Sequence, residues 1–407
     1  MNILFLGLSS FDSYEESELS LDLLREFIKN GHNVYSCMPI ERRDKGKTHL
    51  IDEGEGKKIL KVKTLNLQKT SLFEKGLAFI TITGRFKRAI NKFFKGVKFD
   101  LVLYPTPPIT LCGVVEYIKK RDNAKTYLML KDIFPQNSLD LGILKKSGIK
   151  GFIYRYFKKK EEKLYRVSDK IGCMSQANVD YLLQNNPEVP SDKVEICPNS
   201  IEVKDVCCSA DERFELREKY VLPKDKKIFV YGGNLGKPQD VPFIIECIKQ
   251  AKDVEDAFFF VVGSGTDYSL LDRFVNEEHP KNVAVKKWLP KEEFDKMLFS
   301  CDVGLIFLDF RFTIPNFPSR LLSYAQAKLP VICATDQVTD VGDVVEKNGF
   351  GWKCFSNDTE KFCETVKKAC STDLKNMGET ALKFLKENYS AEGTYKIIEN
   401  AVNGEEK

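Results

Sequence analysis

Residues 312–332 read Phe312-Thr-Ile-Pro-Asn-Phe-Pro-Ser-Arg-Leu-Leu-Ser-Tyr-Ala-Gln-Ala-Lys-Leu-Pro-Val-Ile332. The stretch predicts a loop, then a helix, then a buried strand. Pro315 and Pro318 hold the loop extended, and Ser319 stands where a helix N-cap belongs. Leu321, Leu322 and Ala325 give the helix an apolar stripe. Pro330 ends it before Val331-Ile332. A helix start that follows a strand is a natural seat for an anion. Arg320, in the first turn, adds a charge suited to phosphate. The plainer alternative is one more loop and helix of an α/β domain.

The chain around this stretch repeats the same alternation. In the first half, strands are predicted at Ile3–Leu8, Asn33–Cys37, Leu60–Thr64, Leu101–Tyr104, Thr126–Leu130, Lys170–Met174 and Val194–Cys197. In the second half they fall at Ile228–Gly232, Ala257–Gly263, Val283–Lys286, Val303–Phe307, Val331–Ala334 and Gly351–Cys354. Helices lie between, such as Leu19–Asn30, Val241–Lys252 and Thr359–Cys370. Strands alternating with helices imply parallel sheets covered on both faces. The expected class is therefore α/β, with two doubly wound domains. The expected division is 1–205, 206–380 and a closing helical segment with a polar tail over 381–407. The charged, weakly periodic run Ile201–Pro223 is taken as the hinge. Ligands of such sheets bind outside the carboxyl ends of the strands, which predicts a cleft with a ligand wall on each domain.

Composition narrows the function. Basic and acidic residues number 63 and 59, too balanced for a dedicated nucleic-acid binder. No run is long and apolar enough to span a bilayer, and the first eight residues read as a buried strand, not a signal peptide. The expected location is the cytoplasm or the inner face of the cell membrane. The 12 cysteines are scattered without a Cys-x-x-Cys pair, and His32, His49 and His279 lie far apart. No metal site is expected.

The second half carries further ligand-suited turns. Tyr231-Gly-Gly-Asn-Leu-Gly-Lys237 follows a strand, and Gly233 and Gly236 permit close backbone approach beside Asn234 and Lys237. It lacks the Gly-Lys-[Ser/Thr] ending of a Walker loop. Phe258-Phe-Phe-Val-Val-Gly-Ser-Gly265 opens a strand onto Gly263, Ser264 and Gly265. Then come Val283-Ala-Val-Lys-Lys-Trp-Leu-Pro290 and Leu298-Phe-Ser-Cys-Asp-Val-Gly-Leu-Ile306. Each glycine turn alone is also an ordinary strand-to-helix connection.

Together, in this order, these segments resemble the donor half of retaining GT-B glycosyltransferases of family four. The first half resembles the same family, in particular the fucosamine transferases of bacterial surface-polysaccharide synthesis. The resemblance there rests on Tyr104-Pro-Thr-Pro-Pro108, Leu130-Lys-Asp-Ile-Phe-Pro135, Met174-Ser-Gln-Ala and Cys197-Pro-Asn-Ser-Ile201. It spans nearly the whole chain. It implies a GT-B fold and a nucleoside-diphosphate sugar, a UDP-sugar first, as donor substrate with no other cofactor. It implies a lipid-linked or oligosaccharide acceptor. The implied donor residues are Gly233, Asn234, Gly236, Lys237, Gly263, Ser264, Gly265, Leu289, Pro315, Asn316, Ser319, Arg320 and Ser323. Lys237 and Arg320 would stabilise the departing diphosphate. Ser9, Ser10, Asp12, Lys131 and Asp132 would face the acceptor. Asp132 would orient it or carry a proton; the alternative for Asp132 is a helix cap.

Two departures stand out. The family usually carries two glutamates in the 312–332 segment, and Pro315 and Ser323 occupy those positions. Asp309 and Arg311 are the nearby candidates to substitute. The first loop, Leu8-Ser-Ser-Phe-Asp-Ser-Tyr14, lacks the Gly-Gly of many relatives. Rival readings are therefore a silent GT-B protein that binds a nucleotide sugar or a partner transferase, and a nucleotide-sugar epimerase.

Two basic, aromatic runs suit an anionic membrane surface. In the first, Gly84–Lys98, Phe86, Ile90, Phe93 and Phe94 fall at helical spacing among Lys87, Arg88, Lys92 and Lys95. The second is Tyr154-Arg-Tyr-Phe-Lys-Lys-Lys160. The alternative for each is a helix that buries its stripe in the domain core.

Overall fold

The computed structural model describes residues 1–67 and 72–404. Residues 405–407 of the expected polar tail lie outside the described residues. The chain divides into two compact units. One is Met1–Glu202 with Ala391–Lys407, the other Val203–Ser390.

The first unit holds an eight-stranded sheet. Its strands are β1 (Asn2–Leu6), β2 (Asn33–Ile40), β3 (His49–Asp52), β4 (Lys57–Lys63), β5 (Leu101–Pro105), β6 (Lys125–Leu130), β7 (Lys170–Cys173) and β8 (Val194–Ile196). They run in the order β3-β4-β2-β1-β5-β6-β7-β8. All neighbours are parallel except the β3–β4 pair. Both sheet faces are covered, as near-continuous apolar strands such as Leu101-Val-Leu-Tyr require. Helix Leu72–Phe93 packs on one face, where Phe86, Ile90 and Phe94 join Tyr35, Val102 and Phe99 in the core. Helices Leu19–Lys29 and Ala391–Asn403 cover the other, with Phe27 edge-on to Tyr395 at 4.9 Å.

The second unit holds a six-stranded sheet of β9 (Lys227–Asn234), β10 (Ala257–Ser264), β11 (Val283–Lys286), β12 (Val303–Phe307), β13 (Val331–Thr335) and β14 (Gly351–Phe355). Every pair is parallel, in the order β11-β10-β9-β12-β13-β14. This is the doubly wound order in which direction of strand addition reverses once, between β9 and β12. A crevice opens at the carboxyl ends of such strands.

The Ile201–Pro223 run, taken as the hinge, holds the boundary between the units at Glu202 and Val203. It also contains helix Ala210–Lys219, started by a reciprocal capping box between Ser209 and Glu212. Arg213 and Arg217 both reach Asp302 at 2.7 Å, which anchors the helix to the start of β12. The structure corrects one expectation here: the membrane stripe at Phe86, Lys87, Arg88, Phe93 and Phe94. Phe86 and Phe94 are buried side chains of the sheet core, and Phe93 packs against the same cluster. Lys87 lies over the Tyr117 ring. The helix spends Phe86, Ile90 and Phe94 on its own sheet, so that stripe is not offered to lipid.

Candidate functional site

Strand β9 supplies the centre of the site. It ends in Tyr231-Gly-Gly-Asn234, and its last residues pair with Gly263 and Ser264 of β10. The two strand ends lie so close that a Cβ on Gly263 would strike the carbonyl of Gly233. The following turns are zipped together. Leu235 N–H donates to the Ser264 carbonyl at 2.9 Å, and Asp267 N–H donates to Leu235 at 2.9 Å. A side chain on Gly265 would collide with Leu235. Gly233 has φ +137°, which glycine tolerates and other residues resist.

Arg320 reaches this turn from the far side of the topological switch. Its guanidinium lies against Gly232 and Gly233 and 5.7 Å from the centre of the Phe294 ring. Tyr324, one turn later, locks the helix Arg320–Gln326 in place. Its buried hydroxyl accepts from Gly232 N–H at 3.1 Å and faces the carbonyls of Val230 and Leu305. Gly304 makes room for the Tyr324 ring. Lys237 stands exposed in the short turn Lys237–Gln239. Among the described residues, neither Lys237 nor Arg320 has a carboxylate partner. Two cations without counterions, at the carboxyl edge of a doubly wound sheet, fit a bound polyanion.

The other donor-side residues follow the same edge. Asn234 is exposed and donates from Nδ2 to Gln239 at 2.7 Å. Leu289, beyond β11, is buried, while its neighbour Trp288 is exposed. Asn316 is held through its N–H to the Thr339 hydroxyl at 3.0 Å. Asp336 grips that hydroxyl in turn at 2.9 Å. Pro315 is buried and Ser323 half-buried, and neither residue carries a carboxylate.

Ser319 does not cap the helix. Its backbone is already helical and its side chain makes no cap bond. The first free N–H groups bond to backbone carbonyls instead, Leu321 to Pro318 and Leu322 to Ser319. Asp309 does not stand in for a lost glutamate. It is 1% exposed, and Arg311 wraps both its oxygens, from Nε at 2.9 Å and Nη2 at 2.5 Å. A carboxylate so saturated has little capacity left for a sugar hydroxyl.

On the first unit, Lys131 and Asp132 follow β6. The Thr106 hydroxyl, beyond β5, accepts from both their N–H groups at 3.0 and 3.2 Å. Asp132 caps no helix: the next one, Gln136–Asp140, has Pro135 at its N-cap. Burial pushes the Asp132 carboxyl up to about 6, and Lys131 beside it pulls the other way. Burial lowers Lys131 to about 8, against the pull of Cys197, Glu18 and Asp132. A carboxyl and an amine that both titrate near neutrality suit proton transfer. In the loop after β1, the buried ammonium of Lys61 donates to Ser10 at 2.7 Å and pairs with Asp12 at 2.9 Å. Ser9 is exposed beside them.

Phe294, Tyr324, Thr106 and Lys61 are the residues that the sequence reading did not assign. Tyr324 lies in the opening stretch, yet nothing there marks its hydroxyl as the tether of Gly232. Lys61 sits among four lysines of Lys57-Lys-Ile-Leu-Lys-Val-Lys63 and is not distinguished by pattern.

Residues 212–384 match the family model for glycosyl transferases group 1. "Probable glycosyltransferase WbjE" of Pseudomonas aeruginosa is 25% identical over 324 residues, 79% of this chain and 78% of its own. WcaI of Escherichia coli (strain K12), named for colanic acid biosynthesis, is 22% identical over 267 residues, 63% of this chain and 64% of its own. Among solved structures, sucrose-phosphate synthase from Thermosynechococcus elongatus superposes with a TM-score of 0.73 at 13% identity, covering 99% of this chain and 98% of that one. HepE of Anabaena, in complex with UDP, superposes with a TM-score of 0.70 at 12% identity, covering 99% and 100%.

Proposed function

We propose, from the match of residues 212–384 to the glycosyl transferases group 1 model and from the GT-B fold, that this chain is a retaining glycosyltransferase of polysaccharide assembly. The donor is a nucleoside-diphosphate sugar, a UDP-sugar first. The acceptor is a lipid-linked or oligosaccharide intermediate. One observation carries the reading: Arg320, without a carboxylate partner among the described residues, laid against Gly232 and Gly233 at the switch point of the second sheet. The UDP seen in the HepE complex supports the donor class. The name of WcaI supports the polysaccharide setting.

In this reading the diphosphate sits over the turn Gly233–Lys237. Arg320 and Lys237 stabilise the negative charge that grows on it as the sugar departs. The Arg320 guanidinium needs little reorganisation, because Phe294 and the glycine backbone already hold it. Asp132 takes the proton of the incoming hydroxyl, and Lys131 keeps charge balance beside it. No group beyond the donor is required.

A second reading has one specific observation in its favour. Positions 315 and 323 lack carboxylates and Asp309 is taken by Arg311. The protein would then bind a nucleotide sugar without transferring it. A thermal-shift screen of nucleotide sugars, followed by transfer assays on lipid-linked glycan extracts, decides. Stabilisation by a UDP-sugar with transfer and retained anomeric configuration supports the first reading. Stabilisation without transfer or donor hydrolysis supports the second. No stabilisation by any nucleotide sugar sinks both.

A further inference from the structure

Helix Gly148–Val167 has two apolar faces, and only one is covered. Gly151, Glu161, Leu164 and Tyr165 are buried, and Phe157 packs edge-on against Phe79 at 6.1 Å and Phe134 at 5.0 Å. On the opposite side Ile149 is 85% exposed and Phe152 69%, with Ile153 and Tyr156 at 39% and 36%. Positions 149, 152, 153 and 156 span about 100° of the helix circumference. They form one stripe, not scattered exposure.

Along the chain the charge beside this stripe has one sign up to Glu161, which is buried and pairs with Lys158 at 2.7 Å. Residues 141–160 contain Lys145, Lys146, Lys150, Arg155, Lys158, Lys159 and Lys160, and no aspartate or glutamate. Lys150 flanks the stripe on one side, and Arg155 and Lys159 on the other. Lys160 continues it, with its ammonium over the Tyr156 ring. A large apolar stripe between basic margins matches an anionic lipid interface, where the side chains enter the acyl boundary and the lysines meet headgroups. A second copy of the same face fits poorly, because its like charges would be juxtaposed. The helix is far too polar to span a bilayer: among the described residues no helix is long and apolar enough to do so.

We propose that the Ile149–Phe152–Ile153–Tyr156 face of the first unit seats this protein on an anionic membrane surface. Of the two basic, aromatic runs in the sequence, the proposal keeps the second and extends it to Ile149; the Phe86–Phe94 stripe is core, whereas this one is exposed. It does not depend on the sugar-transfer reading.

The test is flotation of the full chain with vesicles of phosphatidylcholine alone and with phosphatidylglycerol added. Binding is expected only to the anionic vesicles, and it weakens as salt screens the headgroups. The double variant Ile149→Ser/Phe152→Ser should bind about tenfold or more weakly, from the lost apolar burial. Lys150→Glu/Lys159→Glu should do the same by an independent route. Circular dichroism and the melting temperature, followed in each variant, report that the fold is intact. If one pair misfolds, the other carries the test. Three results overturn the proposal: no binding to anionic vesicles at low salt, equal binding to neutral vesicles, or unchanged binding in both folded pairs. Loss of a concentration-dependent dimer in Ile149→Ser/Phe152→Ser, without vesicle binding in the parent, would assign the face to a second copy.

Discussion

Arg320 rests on Gly233 so closely that the two positions constrain each other: a Cβ at 233 would occupy the space of the guanidinium. The glycine is also held at φ +137°. Gly233→Ala therefore strains the turn and displaces Arg320 together. We expect it to lose nucleoside-diphosphate affinity nearly as Arg320→Ala does, although no charge is removed. Calorimetric titration with UDP checks this. Parent-like affinity in folded Gly233→Ala would show that the guanidinium does not need this seat.

The cations themselves should each matter. Lys237→Ala and Arg320→Ala are expected to weaken diphosphate binding by about 1–3 kcal/mol each, the range for charged hydrogen bonds. Phe294→Ala should fall below this, at about 0.5–2 kcal/mol, because it removes only the ring beneath Arg320. If UDP affinity is unchanged in both charge variants, the phosphate site is elsewhere.

The fold was legible in the sequence because buried parallel strands read as short apolar runs, as Val303–Phe307 and Val331–Thr335 do. β3 was not legible. Its four residues His49-Leu-Ile-Asp form an antiparallel edge with a polar residue at each end. The Ser209–Glu212 capping box was available as a signal, but the charge of its helix masked it. The opposite fates of two basic helices were not available at all. Phe86 and Ile90 share one helix face, as Ile149 and Phe152 do, and period alone cannot say whether protein or solvent lies against a stripe. The donor side was read through its glycines, whose need for space is local. Arg311 saturating Asp309 is a contact two residues apart that the sequence left open, because spacing alone does not say that the guanidinium folds back. Lys61 holding Ser10 and Asp12 arises from chain segments meeting in space and leaves no local pattern.

Turnover should survive chelation. Arg320 and Lys237 already supply the positive charge that a divalent cation would otherwise bring to the leaving diphosphate. We expect transfer rates with EDTA to match those without it. Abolished activity, restored by magnesium or manganese, would reject charge neutralisation by these two side chains.

Asp132 and Lys131 give the reaction a pH signature. With the Asp132 carboxyl near 6 and the Lys131 amine near 8, a mechanism that needs one ionised and the other protonated has a bell-shaped rate profile. Activity rises as pH passes about 6 and falls as it passes about 8. Asp132→Asn should remove most of the rate, and Thr106→Val should shift the profile by freeing the two N–H groups that Thr106 holds. Stability follows a linked rule. Folding raises the Asp132 pKa, so the folded chain holds that proton more tightly. Its contribution is fully present below pH about 4 and is lost as pH rises through about 6. Lys131 is lowered on folding, so its contribution runs the other way: stability is gained as pH rises above about 8. Thermal melts of the parent and Asp132→Asn from pH 4 to 10 separate the two effects. The variant should gain on the parent as pH rises through 6. A flat difference across that range, with an unaltered acidic limb of the rate profile, would remove Asp132 from the proton path.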